Sequence, residues 1–227
     1  MMDTKSNTMK VEIWSDVMCP FCYIGKRKFE TALNSFDHRA EVEIEWKSFQ
    51  LSPDMKTDPN TNINQFLSDH KGISIEQAQK MNSRVTEMAK QVGLVYDFEK
   101  SVVANSFNAH RFSHFAKQHG KQEEAEEKLF AAYFTEGKNI DDYTTLIALG
   151  IEMGLDADAL KTALENKSFT AEVNADLEEA RRLRVNGVPF FVFDRKYAVS
   201  GAQDSKVFAE VLEKSFGEWS DENSATG

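Results

Sequence analysis

The sequence predicts an α/β protein whose strands are divided between the two ends of the chain, with a long helical block between them. Three observations carry that expectation. Apolar residues recur with a period of two only before residue 50 and after residue 187, and between those points the spacing is helical. The only two cysteines stand together in Cys19-Pro20-Phe21-Cys22, where the first strand pattern gives way to a helical one. Glycines close several successive helical stripes of the middle block, at Gly93, Gly120, Gly154 and Gly187.

Taken in order, residues 1–9 are polar and expected to be flexible, and residues 10–17 form a first strand. A helix follows from the cysteines, with Pro20 in its first turn, where the missing N–H costs nothing. Phe29, Ala32, Leu33 and Phe36 form its buried stripe. Val42 to Lys47 alternates apolar and charged residues, as a half-buried strand does. Residues 51–62 read as a loop. Ser74-Ile75-Glu76-Gln77 then opens a helix with a capping-box pattern, carrying Ala78, Met81, Val85, Met88 and Val92. The Met81/Met88 stripe reads as helix core and not as a binding groove. Further helices are expected at about 104–119, 121–135, 142–153, 156–165 and 170–185. Phe190–Phe193 and Tyr197–Ser200 read as a hairpin, and a last helix at about 203–216 buries Val207, Phe208, Val211, Leu212 and Ser215. A loose tail covers 218–227. The order β-α-β, helices, β-β-α is that of a thioredoxin fold with a large all-helical insertion. It divides the chain into 10–50, an insertion at 62–186 that packs over the active-site end, and 187–216.

Composition narrows the function. The 227 residues are 41% hydrophobic and 28% charged, as in a globular domain with a sizeable core. A net charge of −10 excludes the dense basic surface that nucleic acid requires. No apolar run is long enough to span a membrane, and the N-terminus lacks the apolar core of a secretory signal. A cytoplasmic location is therefore expected, consistent with the absence of other cysteines. An acidic surface fits a monomer or a homodimer equally.

A C-x-x-C at a strand-to-helix junction is suited to thiol–disulfide exchange, which needs a thiolate, an accessible sulfur and a lowered thiol pKa. Cys19 lies at the helix N-terminus, where unpaired N–H groups and the helix dipole favour a thiolate. It is assigned as the attacking nucleophile. Cys22, one turn further in, is assigned as the resolving thiol. The bland alternative is a pair of unreactive core cysteines. A metal site is not expected: two cysteines cannot close a four-ligand site, and Arg111 follows His110 where a zincin helix would carry Glu, although His114 is spaced i, i+4.

The segment from Ser15-Asp16-Val17-Met18-Cys19-Pro20-Phe21-Cys22 to Lys26 resembles the opening motif of DsbA-like thioredoxin-fold oxidoreductases. Within them it is most similar to the FrnE-like branch, related to 2-hydroxychromene-2-carboxylate isomerases and kappa-class glutathione transferases. Asn105–Arg111, Glu136–Ile140, Gly187–Phe193 and Tyr197–Gln203 resemble the same branch, so the likeness spans about 10–215. It implies that Pro189 is a cis-proline facing the cysteines, with the backbone of Val188 open to an extended substrate. It also implies dithiol chemistry, because glutathione-using relatives carry serine at the first cysteine position. Phe21 stands where the branch often has tryptophan, and the absence of histidine between the cysteines implies a less oxidising enzyme.

Other residues have two readings each. Asp16 could relay a proton to or from Cys22, or simply accept hydrogen bonds from the nearby turn. Asn105, His110 and Arg111 could face the thiols or a glutathione carboxylate, or serve packing. Gln203 and Asp204 could hold a peptide or glutathione carboxylate at the last helix, or cap it. The acidic run Glu123–Glu127 reads as a solvated helix face. Three functions remain in view: a disulfide oxidoreductase acting on protein or small thiols, a glutathione-dependent isomerase or transferase, and a chaperone-like binding module. No cofactor is expected beyond the redox-active disulfide, with glutathione as a possible co-substrate.

Overall fold

The computed structural model describes residues 7–224. β1 (Met9–Ser15) pairs in parallel with β2 (Val42–Ser48), Met9 opposite Val42 and Ser15 opposite Ser48. On its other side β1 pairs antiparallel with β5 (Phe190–Phe193), which pairs antiparallel with β6 (Tyr197–Ser200). The sheet order is thus β2-β1-β5-β6, with β1 interior. An interior strand is covered on both faces, so β1 alternates between two cores. Val11 and Ile13 join the principal core with Phe29, Phe191, Phe193 and Phe208. Trp14 instead packs with Ala180, Val185 and Val192.

The parallel β1–β2 pairing requires a crossover, supplied by α1 (Pro20–Asn34). Its stripe of Phe29, Ala32 and Leu33 is buried as the spacing predicts, as is Phe36 just beyond it. Phe29 meets Phe191 at a ring-centroid distance of 5.5 Å, and Phe191 meets Phe208 of α9 (Ser205–Ser224) at 4.6 Å. Each such ring contributes about 1.5–3 kcal/mol by burial.

Helices dominate the middle of the chain: α2 (Ile63–Lys71), α3 (Ile75–Lys90), α4 (Phe107–Gln118), α5 (Gln122–Phe134), α6 (Tyr143–Glu152), α7 (Ala157–Glu165) and α8 (Thr170–Arg182). The capping box at Ser74 is present in full: its hydroxyl accepts from Gln77 N and Gln77 Oε1 accepts from Ser74 N. α4 is anchored by Arg111, whose guanidinium donates to the carbonyls of Ala163, Leu164 and Ser168 at 2.8–2.9 Å. α8 is anchored to the sheet by Asp176. Its carboxylate accepts from Ser48 N and pairs with His114 at 2.9 Å, while the Trp14 indole donates to its carbonyl.

Four expectations need correction. A short two-stranded sheet, β3 (Asp58–Asn62) and β4 (Val102–Val103), occurs where loop and helix were expected. Its residues are too few, and too polar in β3, to show a period of two. The last helix does not stop at 216: it continues to Ser224, because Trp219 packs on Phe216 at 5.2 Å, and Val207 lies on its exposed side. At the other end Met9 is fully buried in β1, so the strand begins one residue before the expected start. The expectations for 1–6 and 225–227 lie outside the described residues. Finally, Glu123–Glu127 is a solvated face only in part: Glu123 and Glu124 are exposed, but the rest of the run is not. Glu126 is buried, with the Ser113 hydroxyl donating to Oε1 at 2.6 Å, and Glu127 pairs with Lys26 and Arg27 of α1.

β2, an edge strand, carries Glu45 among Lys10, Lys47 and Lys117. Burial works against the Glu45 charge, but these three ammonium groups prevail and hold its carboxyl down at about 2, from an ordinary value of 4.5. A lowered folded-state value stabilises the protein above the unfolded value and loses that contribution as pH falls through the folded one. The thermal midpoint should therefore drop between about pH 4.5 and pH 2. Glu45→Gln should flatten that part of the profile and lower stability at neutral pH by roughly 1–3 kcal/mol, measured by thermal and urea unfolding.

Candidate active site

β1 ends at Ser15 and α1 begins at Pro20, so residues 16–19 form a tight connection at the C-terminal end of an interior strand. Cys19 is the N-cap, in extended conformation (φ −87°, ψ 111°), and Pro20 follows within the first turn. The connection closes by backbone bonds from Cys19 N to Asp16 O (2.9 Å) and from Cys22 N to Cys19 O (3.0 Å). Both cysteines are free thiols; Cys19 is 4% exposed and Cys22 1%. Burial, then the adjacent Cys19 sulfur, pushes the Cys22 thiol well above its ordinary value. The inner thiol is thus kept protonated until a reaction demands otherwise.

The Val188–Pro189 peptide is cis, and Val188 O accepts the Cys19 thiol at 3.5 Å. The Cys19 side chain makes no capping hydrogen bond to the helix. The two segments, 169 residues apart, meet because α1 carries glycine at the crossing point. A Cβ on Gly25 would stand 2.8 Å from Pro189 Cγ and 3.5 Å from both Ala202 Cβ and Phe191 Cζ. Tyr96 holds the first turn of α1 from the other side, its hydroxyl donating to Pro20 O at 2.7 Å.

Asp16 is fully buried, and its carboxylate serves as an acceptor: Oδ1 takes Met18 N (3.2 Å) and Oδ2 takes Leu51 N (2.7 Å). His110 lies behind it, 3.8 Å from Oδ1, donating from Nε2 to Phe49 O at 2.9 Å. Burial opposes the imidazolium, but Asp16 outweighs it and raises the His110 pKa. His110 therefore faces Asp16 on the inner side of the active-site turn.

Two proposed substrate residues are occupied elsewhere. Asn105 spends its whole amide on its surroundings, donating to Pro53 O and Met55 O and accepting from Gln50 Nε2 and Phe107 N. It fixes the loop after β2. Gln203 donates to Ser200 O, and Asp204 accepts from Lys206 N, so both serve the turn entering α9. Asn105 is thus committed to the loop, and the exposed Gln203 to the turn through one N–H of its amide.

A cleft of about 390 Å³ opens beside the cysteines. Met18, Cys19 and the 38% exposed Phe21 contribute from the sheet end. Leu51 and Met55 contribute from the loop that Asn105 holds, and Phe66, Leu67, Met81 and Val85 from α2 and α3. Met81 is 40% exposed and lines this cleft, which corrects the reading of it as core; Met88 is equally exposed. Helical periodicity shows which residues share a face but not whether that face meets a core or an open groove. The cationic side chains in the cleft wall are Lys71 and, when protonated, His70. Among the described residues no cluster of three His, Cys, Asp or Glu side chains is arranged to hold a metal, and no helix is long and apolar enough to cross a membrane.

Sequence reasoning passed over Gly25 and Tyr96. Gly25 is the one with a signal, a glycine in the middle of an otherwise regular helix.

Comparison with known proteins gives the family and the fold. A model of the DSBA-like thioredoxin domain matches residues 10–213. The chain is 30% identical to the uncharacterized protein YwbO of Bacillus subtilis over 211 residues, 90% of this chain and 96% of that one. The structure of a probable DsbA oxidoreductase from Streptomyces coelicolor superimposes with a TM-score of 0.87 at 38% identity, covering 92% of this chain and 91% of that one. The cytosolic disulfide reductase DsbM of Pseudomonas aeruginosa, at 16% identity, shares the fold with a TM-score of 0.64 over 91% of this chain and 98% of that one.

Gly25→Ala should force Pro189 away from α1, costing roughly 1–3 kcal/mol of stability and a larger fraction of activity. A thermal midpoint and a thiol-driven reduction rate equal to those of the parent would contradict the close-packing argument.

Proposed function

The chain belongs to the DSBA-like thioredoxin domain family, and from that premise we propose that it is a cytoplasmic thiol–disulfide oxidoreductase acting through the Cys19–Cys22 dithiol. The observation that carries this reading is the unequal placement of the two sulfurs. Cys19 stands at a helix N-terminus on the edge of an apolar cleft, and Cys22 lies sealed behind it. In the reducing direction the Cys19 thiolate attacks a substrate disulfide, forming a mixed disulfide and releasing one substrate thiolate, which takes a proton from water. Cys22 then loses its proton and attacks Cys19 Sγ, forming the Cys19–Cys22 disulfide and releasing the second thiolate. Oxidation is the same sequence reversed, and the reduction potential sets the direction.

As a thiol, Cys19 donates to Val188 O. As a thiolate it has no proton to donate; Pro20 has no N–H and Cys22 N is bonded to Cys19 O, so the Phe21 N–H and the positive end of the α1 dipole are what the first turn offers it. The exposed ring of Phe21 and the apolar cleft suit a polypeptide whose cysteine is flanked by apolar side chains, with the Val188 backbone as its pairing edge. Glutathione enters this reading as the thiol that exchanges with the Cys19–Cys22 disulfide. Its carboxylates would find only Lys71 and His70 as cations in the cleft wall, so a glutathione-dependent isomerase or transferase is the weaker reading.

Cys19→Ser should abolish thiol-driven insulin reduction, and Cys22→Ser should accumulate mixed disulfides detectable by mass. Full activity in both variants would refute the dithiol mechanism. Equilibration in a glutathione redox buffer fixes the potential and hence the direction. Met81→Glu should raise KM for an apolar peptide disulfide roughly tenfold while leaving turnover of a small soluble disulfide within about twofold, because a charge in an apolar contact costs on the order of 1–3 kcal/mol.

A further inference from the structure

Cys22 must become a thiolate in a buried place, and the residues around it show what could support that charge. Ser15 is the last residue of β1, so strand alternation sets its side, whereas the Asp16 carboxylate is placed by its hydrogen bonds in the turn. Ser15 follows Val11 and Ile13, which enter the principal core together with Cys22. The group that strand register places on the Cys22 side of β1 is therefore the hydroxyl of Ser15, while the Asp16 carboxylate is engaged with Met18, Leu51 and His110. That hydroxyl is buried, with Ser15 2% exposed, and it has no hydrogen-bond partner among the described residues. A buried hydroxyl left without a partner costs stability, so its presence calls for an explanation. It stands on the face of β1 that meets the core containing Cys22, and it and the Asp16 backbone N–H are the donors that ease formation of a Cys22 thiolate.

We propose that the Ser15 hydroxyl is a hydrogen-bond donor to the Cys22 thiolate during resolution of the mixed disulfide. The inference rests on the dithiol reading above and assigns a part in it to a residue outside the C-x-x-C. In the step concerned, the Cys22 S–H bond breaks and its proton passes to water. The Cys22–Cys19 S–S bond then forms as the bond from Cys19 to the substrate sulfur breaks, and the substrate leaves as a thiolate. Negative charge sits on Cys22 between those two events, and that is when Ser15 finds its partner. The other titratable groups facing Cys22 are Cys19, from the same helix, and Tyr96, whose hydroxyl is committed to Pro20 O. The imidazole of His110 reaches this region only through Asp16.

The test uses dithiobis-nitrobenzoate on the reduced full-length chain, which reports two successive releases of coloured thiolate. The first follows capture by Cys19 and the second follows resolution by Cys22. Ser15→Ala should leave the first phase within about twofold and slow the second roughly ten- to a hundredfold, the range expected for one hydrogen bond to a charged group. The pH at which the second phase reaches half its maximum should rise by about one unit or more. Ser15→Thr should restore both. Because the variant removes a buried hydroxyl that has no partner in the resting protein, its thermal midpoint should stay unchanged or rise.

A second phase at the parent rate across the pH range would overturn the inference and leave the dithiol reading standing. So would slowing accompanied by a lowered midpoint and no rescue by threonine, which marks a packing defect. A parent protein without a second phase, indistinguishable from Cys22→Ser, would overturn the dithiol reading and this inference with it.

Discussion

The carboxylate of Asp16 is the joint on which this site is assembled. Its two oxygens hold Met18 N and Leu51 N, and His110 of α4 backs it. One side chain thus connects the turn that presents Cys19, the loop that walls the cleft, and the helical insertion. Burying a carboxylate is costly unless hydrogen bonds compensate it, and here two backbone donors do so, with the His110 imidazole 3.8 Å away adding its electrostatic support. The constraint runs both ways. The turn keeps its shape because the loop is in place, and the loop is in place because Asn105 binds its carbonyls from the foot of α4.

The opposite face of the active-site turn depends on closeness rather than charge. Val188 and Pro189 reach Cys19 only because Gly25 leaves α1 without a side chain there, and Gly201 N fixes Pro189 O at 2.8 Å from behind. The two cysteines therefore lie between a polar clamp and an apolar contact, with Tyr96 bracing the helix start. Each support comes from a different stretch of sequence, which is why the first turn of α1 can be rigid while its outer residue, Phe21, remains open to the cleft.

Much of this was legible in the sequence, and the exceptions have physical causes. Strand and helix order followed from periodicity, and the cysteine pair announced itself by its junction and by the lack of other thiols. The short β3–β4 pair escaped because its ladder is too brief to imprint a pattern on residues such as Pro59 and Asn60. Asn105 carried polar groups suited to a ligand, but spacing cannot reveal that its hydrogen bonds are already spent on Gln50 and on the backbone of Pro53, Met55 and Phe107. Met81 failed in the opposite sense. Its position on a helical stripe says that it faces something apolar, and only the tertiary arrangement makes that something a cleft. Ser15 belonged to the quoted motif, yet nothing local distinguishes it from an ordinary strand-ending serine.

The cleft has two origins. Met18, Cys19 and Phe21 belong to the sheet-and-helix frame, whereas Phe66, Leu67, Met81 and Val85 belong to helices inserted in it. In the function proposed above, reactivity and choice of target therefore fall to separate stretches of the gene. Under that reading, drift in α2 and α3 alters which molecules dock while the sulfur chemistry is inherited intact, so descendants of one ancestral redox centre diverge in clientele without first losing their trade.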